Sequence, residues 1–254
     1  MKISQLLPSV RKEVEKPFEE KLARAKQLIR MFVNKNACVS CSFGKDSTVV
    51  LWLCLQENPK IPVIYNNTGI EWKETLEFKN QLKEAWNLNL IESRPIMSYW
   101  QVWKRIKEKG LRSQDGSKKG SDLCCDYLKE IPFRHIVKEH GFQFGFTGIT
   151  AIESRQRMFT ACQKGMEYYS KKDNITKIHP ILYWTEQEVW DFISRTHIPV
   201  NSAYEKYGLN RLGCMFCVSH KEWRKQMART NLKAYRFIQE QYFHQKLLEV
   251  EVRG

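Results

Sequence analysis

Two groups of side chains in this 254-residue sequence are equipped for chemistry. The first is Ser42-Phe43-Gly44-Lys45-Asp46-Ser47, which follows the short apolar run Ala37-Cys38-Val39-Ser40-Cys41 and leads straight into the helix-like apolar stretch 48–56. A strand that delivers such a turn into a helix start has the makings of an anion site. Gly44 permits backbone geometry that other residues resist, the first helical amides can surround phosphate oxygens, Ser42 and Ser47 add hydroxyls, and Lys45 adds a cation. The spacing matches neither GxxxxGK[ST] nor GxGxxG, so residue types alone leave phosphate binding beside an ordinary strand-to-helix turn.

The second group is the pair Cys124-Cys125 with Cys214 and Cys217. The two thiols of a CxxC can converge on one metal centre, and Arg211, His220, Lys221 and Arg224 supply a basic setting expected to favour the thiolates. Adjacent cysteines on a helix point about 100° apart, which is awkward for one tetrahedral zinc but workable for two different irons of a cubane. An iron–sulfur cluster is therefore preferred over zinc or no metal. Cys38, Cys41 and Cys54 read as packing residues, Cys162 lacks an obvious partner, and the six histidines form no metal-spaced pair.

The elements that must position these groups follow from periodicity. Phe18, Leu22, Ala25, Leu28, Ile29 and Phe32 predict an amphipathic helix over 17–36, with Pro17 in its first turn. Strands are expected at 37–41, 61–65, 88–91 and 142–146, with short strands again between 163 and 179. Helices are expected after the glycine turn and over 72–86, 99–109, 123–140 and from 221 to about 250. Thr185 with Glu188 forms a capping box. Strands alternating with helices imply an α/β fold with a doubly wound, mainly parallel sheet and helical additions at both ends. The expected organisation is a helical segment over 1–36, a nucleotide-binding core over 37–200, and a CxxC loop with helices over 201–254.

Composition narrows the class of partner. Hydrophobic residues make up 42% and eight tryptophans are present, so a disordered chain is excluded. No apolar run approaches the roughly 20 residues of a membrane span, and the first residues meet charge too early for a signal peptide. A cytoplasmic protein with no membrane partner is expected, with its cysteines reduced. The 42 basic against 28 acidic residues give a net charge of +14, which points to a polyanion. Two basic stretches, 104–119 and 221–236, supply more cations than one nucleotide requires.

Residues Ser42 to Ser47 resemble the PP-loop, SGGxDS, of ATP pyrophosphatases, and in particular the phosphoadenosine phosphosulfate reductase-like branch of the adenine nucleotide alpha-hydrolases. Asn67-Thr68-Gly69 with Glu71 and Glu74 to Phe78 is similar to that branch's DTG…ETxEF element. Cys124-Cys125, Lys129 and Pro132 resemble its CC…K…P element, and Gly148, Glu153, Ser154 and Arg157 its G…ESxxR element. Pro180 to Trp190 resembles PI…WT…VW, and Tyr204 to Cys217 resembles Y…G…R…GCxxC. The ordered matches cover about two thirds of the chain.

The resemblance implies ATP with Mg²⁺ held by Ser40, Ser42, Phe43, Gly44, Lys45, Asp46, Ser47, Asn67, Thr68, Gly69 and Gly148. Lys45, Asp46 and Arg157 are implied as catalytic groups, and Cys124, Cys125, Cys214 and Cys217 as ligands of a 4Fe–4S cluster. Reductases of the branch carry a nucleophilic cysteine near the C-terminus, whereas no cysteine follows Cys217 here. Phe43 replaces the first loop glycine, Asn67 the usual aspartate, and Thr150 stands where reductases tend to have arginine. The expected function is ATP-dependent activation of an oxygen for sulfur incorporation into nucleic acid, of the DNA phosphorothioation or tRNA thiolation type. A cysteine desulfurase or other protein is the expected sulfur donor. The alternatives are an adenylylsulfate or phosphoadenylylsulfate reductase and a non-catalytic nucleic-acid-binding relative.

Overall fold

The computed structural model describes residues 1–108, 121–217 and 223–238. Most of the basic stretch 104–119, together with His220, Lys221 and the helix expected beyond 238, lies outside the described residues.

Six short strands form one sheet: β1 (Ala37–Ser40), β2 (Val63–Asn66), β3 (Leu90–Ser93), β4 (Phe144–Thr147), β5 (Glu167–Ser170) and β6 (Ile175–Ile178), in the order β3-β2-β1-β4-β6-β5. All neighbours are parallel except β5 and β6, which form an antiparallel hairpin at one edge. The order reverses direction at β1, which pairs with β2 on one side and β4 on the other. Loops leaving the carboxyl ends of these two neighbours part there, and the crevice they leave is where open α/β sheets bind ligands.

Strand alternation sends side chains to both faces. Val39, Val63 and Tyr65 enter the large core with α2 (Phe18–Phe32), α3 (Lys45–Glu57), α4 (Lys73–Ala85) and α9 (Glu186–Thr196). Cys38 and Ile64 face the opposite way, onto Val137 of α7 (Ile131–His140). The N-terminal α1 (Pro8–Val14) packs Val10 and Val14 on Met158 and Ala161 of α8 (Arg155–Lys164). The Thr185 capping box forms, with Glu188 accepting the Thr185 amide proton at 2.7 Å and Thr185 accepting that of Glu188 at 3.2 Å. Glu188 also receives the buried Lys21 ammonium at 2.6 Å, which ties α2 to the start of α9.

One expected helix is modified. Residues 123–140 form α6 (Ser121–Cys125), a π-helical turn (Asp126–Glu130) and then α7. Pro132 gives the reason: its ring would strike the carbonyl four residues back in a regular helix, so the turn widens. The Ile131 amide then donates to the Asp126 carbonyl, five residues back.

Candidate nucleotide and cysteine site

The loop after β1 is built for its position rather than inherited from local preference. Phe43 adopts the left-handed conformation, φ 56°, where the SGGxDS pattern that the loop resembles has glycine. Its ring is fully buried and packs on Tyr65 and Phe78, with centroids 5.4 and 6.5 Å away. A non-glycine residue in that conformation costs about 1–2 kcal/mol, whereas deleting a buried phenyl ring costs about 3–5 kcal/mol. Packing wins, so Phe43→Gly is expected to destabilise the protein by about 2 kcal/mol or more in denaturant unfolding. A stability equal to or above the parent protein would sink this account.

Beyond Phe43 the loop is braced by its own hydroxyls. Ser47 Oγ donates to the Gly44 carbonyl at 3.0 Å, accepts from the Ser42 amide at 3.2 Å, and lies 3.2 Å from Ser42 Oγ. The Lys45 amide donates to the Tyr204 hydroxyl at 2.9 Å, and Asn201 Nδ2 donates to the Phe43 carbonyl at 3.4 Å. Tyr204 and Asn201 are thus supports that come from far along the chain.

Below the loop lies an open cleft of about 340 Å³, walled by Ser40, Ser42, Ser47, Asn66, Gly148 and Arg157 among others. Phe133, Gly145 and Ile175 line an apolar part of it, and Lys129, Arg157 and Lys177 bring cations. The Lys45 side chain does not line this cleft: its ammonium sits 3.1 Å from Asp46 and 3.5 Å from Glu186. Arg157 pairs with Glu153, whose other oxygen takes Arg211 Nε at 2.9 Å. One carboxylate between two guanidiniums leaves an excess of positive charge. Burial, helped by the nearby Arg211, lowers the Arg157 pKa to about 10.

Asn67, Thr68 and Gly69 are turned elsewhere. Asn67 Nδ2 donates to Glu92 at 2.9 Å, and the Gly69 amide donates to Asn67 Oδ1 at 3.0 Å. Thr68 Oγ1 donates to Glu71 at 2.7 Å and lies 3.5 Å from Cys214 Sγ. The Met215 amide donates to the Ile70 carbonyl at 2.9 Å, so this segment holds the CxxC loop.

The two cysteine pairs, far apart in sequence, come into one neighbourhood. Cys124 feels the charges of Cys125, Cys214 and Cys217, and Cys214 feels that of Lys129. Among the described residues no three His, Cys, Asp or Glu side chains are close enough to share a single metal ion. The basic setting expected to favour thiolates does not prevail: burial pushes Cys124 and Cys214 up, and Cys125 up to about 11. Arg211 is engaged by Glu153, and the cation that opposes the shift is Lys129. Its own pKa is raised, first by the Cys214 charge.

Lys129 also joins two spaces. A second cavity of about 150 Å³ shares Ser40, Ser42, Asn66 and Lys129 with the cleft and extends to Cys41, Tyr65, Glu71 and Gly213, next to Cys214. The Tyr65 side chain is 1% exposed and its hydroxyl has no hydrogen-bond partner among the described residues. Sequence reasoning named Lys129 only as part of a motif and missed Tyr65 and Asn66; its place beside the cysteine pair was the only signal for any of them.

Residues 36–220 match the phosphoadenosine phosphosulfate reductase domain. The chain belongs to the phosphoadenosine phosphosulfate reductase family. It is 34% identical over 173 residues to a phosphoadenosine 5'-phosphosulfate reductase of Xanthomonas axonopodis pv. citri, covering 68% of this chain and 67% of that one. It is 27% identical over 218 residues to an uncharacterized protein of Methanocaldococcus jannaschii, covering 85% of this chain but spanning only 50% of that longer protein. The phosphoadenylyl-sulfate reductase of Candida auris, solved as a phosphate complex, superposes with a TM-score of 0.57 at 20% identity, over 75% of this chain and 87% of that one. That likeness shows a shared α/β fold. The family's named members are enzymes, and no helix among this member's described residues is long and apolar enough to cross a membrane.

Proposed function

We propose that this family member is an ATP pyrophosphatase that activates a substrate oxygen for replacement by sulfur, with nucleic acid as the substrate class. The observation that carries the reading is Lys129, which lines both the cleft under the Ser42–Ser47 loop and the cavity that reaches Gly213 beside Cys214. Nucleotide chemistry and cysteine chemistry then share one wall.

On this reading the adenine lies in the apolar part of the cleft beside Phe133 and Gly145, and the loop amides not taken up by Cys41, Ser47 and Tyr204, with the Ser42 hydroxyl, hold the phosphates with Mg²⁺. Arg157 and Lys129 face the charge that develops as the substrate oxygen bonds to the α-phosphorus and the bond to the bridging oxygen breaks, releasing pyrophosphate. The adenylated oxygen later leaves as AMP when a sulfur nucleophile takes its carbon or phosphorus. Lys45 and Asp46, expected as catalytic groups, act here by holding the loop against α9.

Cys124, Cys125, Cys214 and Cys217, drawn from two distant pairs into one neighbourhood, form the four-thiol donor set in which each would hold a different iron of a 4Fe–4S cluster. Such a cluster supplies sulfur binding or electron transfer when bound. The orphaned Tyr65 hydroxyl fits a cavity that is filled in the working enzyme. Tyr65→Phe removes an unsatisfied buried group that costs about 1–3 kcal/mol, so the thermal midpoint is expected to hold or rise while pyrophosphate release slows about tenfold. A loss of stability equal to the loss of rate would assign the hydroxyl to structure alone.

Purified protein, reconstituted anaerobically, tests the reading directly. Labelled ATP with bulk tRNA or DNA is expected to yield pyrophosphate, and adenylylsulfate to yield no sulfite. Sulfite release would overturn the proposal in favour of sulfonucleotide reduction.

A further inference from the structure

One surface carries cations that line neither cavity. Helices α11 (Trp223–Thr230) and α12 (Leu232–Ile238) contain Arg224, Lys225, Arg229, Lys233 and Arg236 and no acidic residue. Helical hydrogen bonding runs through their junction: the Asn231 amide donates to the Met227 carbonyl at 2.8 Å and the Tyr235 amide to the Asn231 carbonyl at 2.9 Å. Lys225, Arg229, Lys233 and Arg236 therefore recur at steps of four, four and three residues along one helical face, and all four are exposed. The opposite face buries Met227, Tyr235 and Ile238 in the cluster that also packs Cys124 and Cys214. The basic face is thus fixed rigidly to the cysteine end of the molecule.

Charge alone would fit any polyanion. The decisive detail is a hollow of about 450 Å³ lined by Leu232, Lys233, Arg236 and Phe237. Phe237 is 49% exposed and Leu232 is 45% exposed, so apolar surface lies beside two cations in the same hollow. The Phe237 ring is held edge-on by Trp100, with centroids 5.8 Å apart at 81°. A duplex presents phosphates outward and keeps its bases stacked inside, so it gains nothing from Phe237. An unpaired strand offers both parts: phosphates for Lys233 and Arg236, and a base for the ring.

We propose that this hollow binds unpaired nucleotides of a single-stranded segment, a base stacking on Phe237 while Lys233 and Arg236 hold the flanking phosphates. The inference rests on the nucleic-acid reading above and adds where the strand lies and that it is unpaired there.

Affinity for a fluorescent single-stranded oligonucleotide, the same sequence as a blunt duplex, and polyglutamate, measured from about 50 to 200 mM salt, tests it. The single strand is expected to bind most tightly. Phe237→Ala should weaken it about tenfold with an unchanged salt slope, and Phe237→Tyr, which keeps the ring, should not. Lys233→Glu with Arg236→Glu should lower the slope of log affinity against log salt by about 1.4, as two lost phosphate contacts require. Thermal midpoints of all variants show that the helices still fold, and the charge variant, exposed at both positions, gives the result if Phe237→Ala unfolds. Tight oligonucleotide binding unaltered by these variants overturns this surface and leaves the nucleic-acid reading standing. Equal affinity for duplex or polyglutamate overturns the unpaired strand. No binding to any nucleic acid by the unaltered protein overturns that reading and this surface together.

Discussion

Replacing Gly148 by alanine is expected to abolish nucleotide binding. A Cβ at that position would lie 2.5 Å from the Ser47 amide nitrogen, 2.6 Å from the Asp46 carbonyl carbon and 2.6 Å from Ser47 Cα. All three are backbone atoms of the first turn of α3, so no side chain can swing aside. Either the end of β4 or the start of α3 must move. Overpacking costs about 1–3 kcal/mol, and the movement falls on the amides that would meet phosphate, whose hydrogen bonds tolerate only a few tenths of an ångström. The expected outcome is a loss of at least about a hundredfold in ATP affinity by calorimetry, with a lower thermal midpoint. Binding equal to that of the parent protein would show that the approach of β4 to the loop does not matter. Sequence reasoning expected Gly148 among the nucleotide-binding residues; in the structure the glycine makes room for the backbone of the loop and the first turn of α3.

Lys129→Met is expected to lower pyrophosphate release by about a hundredfold or more, the usual size of losing one positioned electrostatic group in a partly dry site. Methionine keeps most of the stem volume, so the helix should fold, and the loss should appear in kcat more than in KM. Lys129→Arg should restore part of it, because the charge returns in a bulkier and less mobile form. Nucleotide binding lost in parallel with turnover would instead assign Lys129 to holding the nucleotide. The placement of this lysine depends on Pro132: three residues on, it widens the helix into the π turn of Asp126–Glu130. A regular helix would set Lys129 at a different angle relative to the cysteines just before it.

Several elements were legible because their determinants are local. The capping box at Thr185 and Glu188, the apolar run before Ser42 and the periodicity of 18–32 each specify a hydrogen bond or a face within a few residues, and each is present. The strand positions shifted by about two residues at 61–65 and 88–91, since apolar runs mark burial and not the start of ladder pairing. Phe43 was legible as a departure from the loop pattern, but its tolerance was not, because Tyr65 and Phe78 supply the packing. The reading of Arg211 as a cation that lowers the thiol pKa failed for a comparable reason. Charge in sequence carries no information on burial or on which carboxylate intervenes, here Glu153.

By itself the sequence determined that this is an α/β protein with a glycine turn after its first strand and two cysteine pairs, since these follow from spacing and contiguous motifs. The tertiary structure decided which side chains meet. It placed Lys45 against Asp46 and Glu186, turned Thr68 towards Cys214, and made Lys129 a wall shared by the cleft and the cavity beside the cysteines, which Tyr65 also lines. The physical reason is that β1, β2 and β4 end together at the reversal of strand order, so their loops converge although long crossovers separate them in the chain.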